Sequence, residues 1–426
     1  MSDVRVQRAG PGDLLALSAV NLELEQRWYV WDRCLAGKRR VEVHPLVLGE
    51  AAHADAVAVA ERAAGLVFRA ADRAASDPTE RARYRLHPDV EQLAAAARSA
   101  GDRGSLVRVD LLLREDGRFV ACEVNTDCPG GHNESLALPS LARRAGFRGG
   151  IDPTSVATRL ADRLVAMSGG RGSPRGIIGI VYATAYAEDL QICAIVERLV
   201  RERGGRVRRM PATGPRAGAG GVAYRGERIA VLYRYYPTEY MADQANIGAL
   251  AQAVARGELA CLSSFSVIHA QSKLAMARAW AIEPLVANAA FPGTFALRDV
   301  DAASILRDRA DWVLKRDLSR VGDHVVVGAL ETDATFRALL DEVHEAEEAG
   351  EVWIAQRFVP PGHVPTPWGP RCLTLGAYLL DGVFAGYLAR LTPTSHCSHD
   401  ALMVPVFVGD GLASEGLAGS RARMSA

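Results

Sequence analysis

Apolar residues recur at helical spacing between Pro45 and Ala74, where Leu46, Leu48, Ala52, Ala56, Val57, Ala60, Ala64, Val67 and Phe68 are separated by charged positions. That period predicts one long amphipathic helix. Pro88 to Ala100 predicts a shorter one, so the first hundred residues read as mostly helical. The texture then switches. Leu106–Leu113 and Phe119–Val124 are short apolar runs joined by a turn that contains Asp116-Gly117, a strong hairpin signal. A loop follows from Thr126 to Glu134, and Leu136 to Ala145 reads as a helix stopped near Gly146.

A Gly/Ser/Pro-rich stretch from Ser168 to Pro174 separates a second unit. There Ile177–Tyr182 predicts a buried strand, Glu188–Arg203 an amphipathic helix, Val207–Met210 and Ile229–Tyr235 further strands, and Gly214–Gly221 a loop. Strands alternating with helices suggest a small parallel α/β domain. From Ser266 onward the pattern predicts a helix over Ser272–Trp280, strands at Trp312–Lys315, His324–Val327 and Val352–Phe358, and a helix over Phe336–Ala349. A second hairpin, Leu373–Leu380 with Val383–Arg390, turns at Asp381-Gly382. The reading is an α/β (α+β) protein in four parts: a helical region 1–105, the hairpin segment 106–150, the small α/β unit 151–265 and a final unit 266–426.

The 426 residues are 49% hydrophobic and 23% charged, which excludes wholesale disorder. Fifty basic residues balance fifty acidic ones, so the chain lacks the positive field expected of a nucleic-acid or anionic-membrane binder. The best apolar run, Ile177 to Ala187, is too short for a membrane span. Seven cysteines without a CxxC pair, and charges from Asp3 onward in place of a leader-like apolar run, suggest a cytoplasmic protein with reduced thiols. Of the basic residues only Lys38, Lys273 and Lys315 are lysine. Under a coding bias toward arginine, a lysine is either residual or stands where a compact ammonium is required.

Two constellations carry candidate chemistry. Arg108 and Asp110 on one hairpin strand, with Glu123 and Asn125 on the next, can share a sheet face because residues two apart point the same way. Two carboxylates and an amide oxygen are hard ligands suited to Mg²⁺, with Arg108 placed for a phosphate oxygen; a solvated sheet face fits the pattern equally. Lys315 ends an apolar strand and precedes the polar loop Ser319-Arg320-Val321-Gly322, whose backbone amides can close over phosphates. His396-Cys397-Ser398-His399 offers two histidines three apart for zinc but no second ligand pair nearby. Cys128 is a possible thiol nucleophile without a placed histidine.

In order along the chain, Arg108-Val-Asp110, Glu123-Val-Asn125-Thr-Asp127-Cys-Pro129, Val231 to Met241 with its aromatic, Pro237 and Glu239, Ser272-Lys273 to Trp280, Val313-Leu-Lys315 to Gly322, and Ile354-Ala-Gln356-Arg-Phe358 with the hairpin ending at Arg390 resemble the glutathionylspermidine synthase family. The resemblance spans roughly Val107 to Val408, in the synthetase portion only. It implies a circularly permuted ATP-grasp fold with a Rossmann-like pre-ATP-grasp domain. It further implies an ADP-forming carboxylate–amine ligase that uses ATP and Mg²⁺ and joins a small acid to an amine through an acyl phosphate. Two of the three lysines fall where that family places lysine on ATP.

By this resemblance Asp110, Glu123 and Asn125 hold metal, and Arg108 and Arg390 are catalytic. Lys273 and Lys315 bind phosphates, the loop with Ser319, Arg320 and Gly322 covers them, and Gln356, Arg357 and Phe358 line the adenine pocket. Two departures are that Arg316 stands where the family usually has proline, and Cys128 to His132 replaces its Thr-Pro-Thr-Ser loop. An ATP-binding protein without ligase activity and an ATP-dependent phosphotransferase are the alternatives.

Overall fold

The structure, a computed structural model, describes residues 3–10, 13–153, 155–169, 176–320 and 324–409. Its organising element is a sheet assembled from both ends of the chain. The early hairpin, Leu106–Leu113 with Phe119–Asn125, pairs through its first strand with Arg371–Leu380, which forms the late hairpin with Val383–Thr392. Leu402–Val404 completes the order beyond Val383–Thr392.

Strand alternation divides the faces of this sheet. Val107, Val109, Leu111, Leu113, Leu375, Ala377, Leu379 and Ala389 pack on one side against the buried Ala56, Ala60, Ala63, Val67 and Ala70 of the long helix Glu50–Ser76. Small residues on that helix let it lie close to the sheet. The other face holds the polar positions. A bulge at Cys122 decides which residues those are: Leu111 faces Ala121, but Asp110 faces Glu123. Without the extra residue Glu123 and Asn125 would share the apolar face of Phe119 and Ala121; the bulge reverses the alternation and turns them to the polar side.

The predicted helix over Pro45–Ala74 begins only at Glu50. Leu46–Leu48 is instead a fully buried strand between Val4–Val6 and Val406–Val408. Three contiguous apolar residues suit a strand covered on both faces, and the partner from the far end of the chain could not be foreseen locally. The early region is therefore less helical than its periodicity suggests, with short strands also at Cys34–Leu35 and Lys38–Arg39. The helix after Asn125 starts at His132, not Leu136.

The central unit has the predicted parallel strands Val207–Pro211, Ile177–Tyr182 and Glu227–Tyr235, joined by Ala260–Leu262. Gly214–Gly221, expected as a loop, contributes the antiparallel strand Arg216–Gly218. Its glycines leave the strand without an apolar signature. The final unit carries the antiparallel order Thr294–Ala296, Trp353–Arg357, Trp312–Arg316, Val325–Val327, backed by the helix Asp333–Glu348. Most of the Ser168 to Pro174 stretch lies outside the described residues. Among the described residues no helix is long and apolar enough to cross a membrane.

Candidate functional site

The polar face of the composite sheet opens into a cavity of about 400 Å³, within the range of small-molecule sites. Arg108, Asp110, Glu123, Asn125, Lys273, Lys315, Ser319, Arg320, Gln356, Arg357, Phe358 and Arg390 all line it. Gly322 lies outside the described residues. Residues singled out from scattered motifs thus meet in one place.

Asp110 is the hub. Arg108 donates to it through Nε (2.8 Å) and Nη2 (3.0 Å), and Arg390 Nη2 stands 2.9 Å away. Register explains the triad: Arg108 precedes Asp110 by two, while Gly376 opposite Asp110 and Thr374 opposite Arg390 place the two hairpins' charges diagonally. A Cβ on Gly376 would lie 2.8 Å from Arg108 Cδ and 3.2 Å from Asp110 Oδ1, so glycine leaves the room the pair occupies. Burial pushes the Asp110 carboxyl up, but the two guanidinium groups outweigh it and hold it at about 2. Burial likewise raises Glu123, and Lys273 and Lys315 bring it below the usual carboxylate range.

Lys273 is 4% and Lys315 8% exposed, and lysines so buried require partners. Lys273 Nζ stands 3.2 Å from Glu123 Oε1 and donates to the Ser319 carbonyl at 2.8 Å. Lys315 Nζ donates to Gln356 Oε1 at 2.8 Å and to the Cys122 carbonyl at 2.9 Å. Gln356 Nε2 in turn donates to Thr294 Oγ1 at 3.0 Å, which fixes its amide. Lys38, by contrast, is on the surface beside Asp400. Position separates the two buried lysines from the third.

Arg320 turns toward the central unit. It donates to Glu239 Oε1 at 2.6 Å and to Cys128 Sγ at 3.2 Å, with Asp127 3.7 Å away. Asp127 is buried with Arg234 in an ion pair of zero exposure, and Thr238 donates to it through its amide and hydroxyl, both at 2.9 Å. Arg357 lays its guanidinium 3.8 Å from the centre of the Trp312 ring, and the Phe358 amide donates to Asp311.

Several positions that build the site lacked a local signal. Asp317 accepts from the Ser272 hydroxyl and from the Lys273 amide (2.5 Å), fixing the start of the lysine helix. Asp127 continues the two-residue alternation of Glu123 and Asn125, which could have marked it. Arg234 and Gly376 sit in apolar strands where nothing nearby distinguishes them.

Two rival readings that the sequence leaves in the minority, a zinc site at His396–His399 and a thiol nucleophile at Cys128, gain no support. Among the described residues the one group of three or more His, Cys, Asp or Glu close enough to share a metal is His87, Asp89 and Asp243; His396 and His399 are not in such a group. Burial lifts the Cys128 thiol to about 12, so it holds no thiolate at neutral pH.

The chain matches no known family profile, and no curated protein matches its sequence. Solved structures do match. A glutathione synthetase-like effector (GSS30) from Globodera pallida, in its apo form, aligns over 95% of this chain and 99% of its own, with TM-score 0.60 and 12% identity. The protein shares that fold. A putative γ-glutamylcysteine synthetase from Methylobacillus flagellatus KT aligns over 76% of this chain and 84% of its own, with TM-score 0.36 and 14% identity.

Proposed function

We propose that the protein is an ATP- and Mg²⁺-dependent carboxylate–amine ligase with a circularly permuted ATP-grasp arrangement. One observation carries the reading: two buried lysines from the second half of the chain and the Asp110–Glu123–Asn125 set from the first half face a single cavity. The resemblance of the motifs and the fold shared with a synthetase-like protein support it.

The residues suit the groups the reading requires. Asp110, Glu123 and Asn125 offer hard oxygen donors that would hold Mg²⁺, which neutralises phosphate charge when bound. Arg390 and Arg320 each retain a buried Nε without a hydrogen-bond partner, capacity for anionic oxygens in addition to their present ion pairs. Lys273 and Lys315 would bind phosphates as point charges, the Ser319–Arg320 segment would cover them, and Gln356 to Phe358 would border the base.

In this reading the acid's carboxylate oxygen attacks the γ-phosphorus, ADP departs and an acyl phosphate forms. An amine then attacks the acyl carbon, the C–O bond to phosphate breaks, and the amide and inorganic phosphate result. Arg108 and Arg390 stabilise charge on the transferring phosphoryl group. The walls exclude water, which would hydrolyse the acyl phosphate. The neutral overall charge suits small-molecule substrates, and the reaction would take place in the cytoplasm.

Incubation with Mg-ATP and a library of acids and amines tests the proposal. Release of ADP and phosphate that depends on both an acid and an amine is the expected result. Thermal stabilisation by nucleotide without turnover would indicate a binding protein, and a stable phosphorylated product a phosphotransferase.

A further inference from the structure

A second groove, of about 790 Å³, shares no lining residue with the main cavity. Three guanidinium groups and three carboxylates face it: Arg98, Arg103, Arg163, Asp72, Asp102 and Asp381. Four of the six satisfy one another. Arg103 Nη1 stands 3.3 Å from Asp72 Oδ1, and Arg163 Nε donates to Asp381 Oδ2 at 2.6 Å.

Arg98 and Asp102 are the remainder. Arg98 is in the last turn of the helix Pro88–Ser99, and Asp102 follows the left-handed turn at Gly101 (φ +68°), where the chain leaves the helix. Arg98 Nη2 finds Glu91 Oε2 at 3.8 Å, beyond hydrogen-bond length, and Glu91 Oε1 is engaged by His269 Nε2 at 2.9 Å. Arg98 Nη1 lies 3.4 Å from His269 Nδ1. Burial pushes this guanidinium below its ordinary value, with Glu91 as the main opposing charge. Among the described residues Asp102 has no ion pair; its Oδ2 accepts from the Cys261 amide at 3.3 Å, and Arg234, already bound to Asp127, acts on it only through space. Burial outweighs these contacts and raises the Asp102 carboxyl to about 6. A half-buried cation and a half-buried anion, each short of a partner, thus face one groove.

A ligand that satisfies both carries an ammonium and a carboxylate close together. Phe68, Ala71 and Met167 offer the same ligand an apolar wall. We propose that this groove binds a free α-amino acid with an apolar side chain, its ammonium on Asp102 and its carboxylate on Arg98, as an effector of the main cavity. The site stands on the geometry of the groove, and its role as an effector rests on the ligase reading.

Asp102 is also where the groove meets the framework of the main cavity. Its carbonyl accepts from the Ser264 and Ser266 hydroxyls at 2.8 and 3.0 Å, and its carboxylate holds the Cys261 amide. Within that segment the Ser263 carbonyl accepts from Arg234 Nη2 at 3.3 Å. Arg234 is buried against Asp127, and Arg320 Nη2 stands 3.7 Å from Asp127 at the wall of the main cavity. A contiguous set of polar contacts therefore runs from the groove to the segment that would cover the triphosphate. A ligand that fixes Asp102 acts on one end of that set, and Arg320 is at the other.

The test is calorimetric titration of the full chain with L-phenylalanine, beside 3-phenylpropionate, which lacks the ammonium, and phenethylamine, which lacks the carboxylate. The wild type is expected to bind the amino acid at least tenfold more tightly than either analogue. Arg98→Gln and Asp102→Asn are each expected to weaken it at least tenfold. Ala166→Trp, at an exposed position of the groove wall, is expected to weaken it by occlusion and decides the location if neither charge variant folds. Failure of the wild type to bind, equal affinity for an analogue, or unaltered affinity in any folded variant overturns the site. Mg-ATP titrated with and without saturating L-phenylalanine is expected to differ at least threefold in affinity, and an unchanged affinity overturns the effector role. Absence of any Mg-ATP binding removes the ligase reading and the effector role with it, while the amino-acid titration still decides the site.

Discussion

Lys273 Nζ stands 3.2 Å from Glu123 Oε1, although one residue opens a helix in the final unit and the other lies two residues before the end of a strand of the early hairpin. The contact joins the candidate nucleotide residues to the candidate metal residues. Each group is satisfied by the other until a ligand of mixed charge enters, and a metal–triphosphate is such a ligand.

The first prediction concerns the lysines. Lys315→Ala removes a buried ammonium and leaves Gln356 Oε1 and the Cys122 carbonyl without their donor. Mg-ATP affinity should fall by about two orders of magnitude, the loss expected when a charged hydrogen bond to a ligand is removed. Both Lys315→Ala and Glu123→Ala should abolish turnover, read as release of ADP and phosphate. Lys38→Ala, whose partner Asp400 is at the surface, should match the wild type. Calorimetric titration of the three variants checks the set.

The second concerns acid stability. The Asp110 carboxyl is held at about 2 by Arg108 and Arg390 against the pull of burial. A depressed folded-state value means the contribution is complete above the unfolded carboxylate value of about 4 and is lost as pH falls from there toward 2. Asp110→Asn should destabilise the fold by about 3 kcal/mol at neutral pH, because two guanidinium groups lose their buried partner. It should also flatten the acid limb of the stability curve. Urea unfolding between pH 7 and pH 2 reads both effects.

The third concerns Gly376. Its added methyl group would lie 2.8 Å from Arg108 Cδ and 3.1 Å from Arg108 Cγ. Gly376→Ala should cost about 1–3 kcal/mol by overpacking and weaken Mg-ATP binding through the displaced Arg108. Ala377→Gly, its neighbour on the opposite face, should lower stability without the binding defect. Chemical unfolding and nucleotide titration distinguish the two.

The fourth concerns thiols. Burial pushes Cys122 and Cys128 up to about 12, while Cys34 is exposed. Iodoacetamide at pH 8 should alkylate Cys34 readily and leave Cys122 and Cys128 unmodified until the chain unfolds. Cys128→Ala should retain turnover. Peptide mapping of the labelled protein gives the first result directly.

Alternation placed Arg108 with Asp110 and Glu123 with Asn125, and the turn residues placed both hairpins, because those signals are local. The bulge at Cys122 is not local. It follows from pairing, and Cys122 carries no mark of it. Leu46–Leu48 fits the helical period because a three-residue strand lies below the length at which period distinguishes the two, and its partners, Val4–Val6 and Val406–Val408, are far from it in sequence or offer no local pattern. Arg234 in an apolar strand reads as an interruption until Asp127 is brought beside it. Glu134 falls in the loop that the sequence predicts, and its unpaired oxygen exists only once the helix from His132 and its surroundings have assembled.

The composite sheet has a further consequence for biosynthesis. Asp110 leaves the ribosome early, but the strands that receive it, Arg371–Leu380 and Val383–Thr392, are translated near the end. Until then the helix Glu50–Ser76 can cover Val107, Val109 and Leu111, but the strand Leu106–Leu113 has one edge without its partner. An unpaired apolar strand edge is a template for pairing with other chains, so a fragment ending before Arg371 is expected to aggregate.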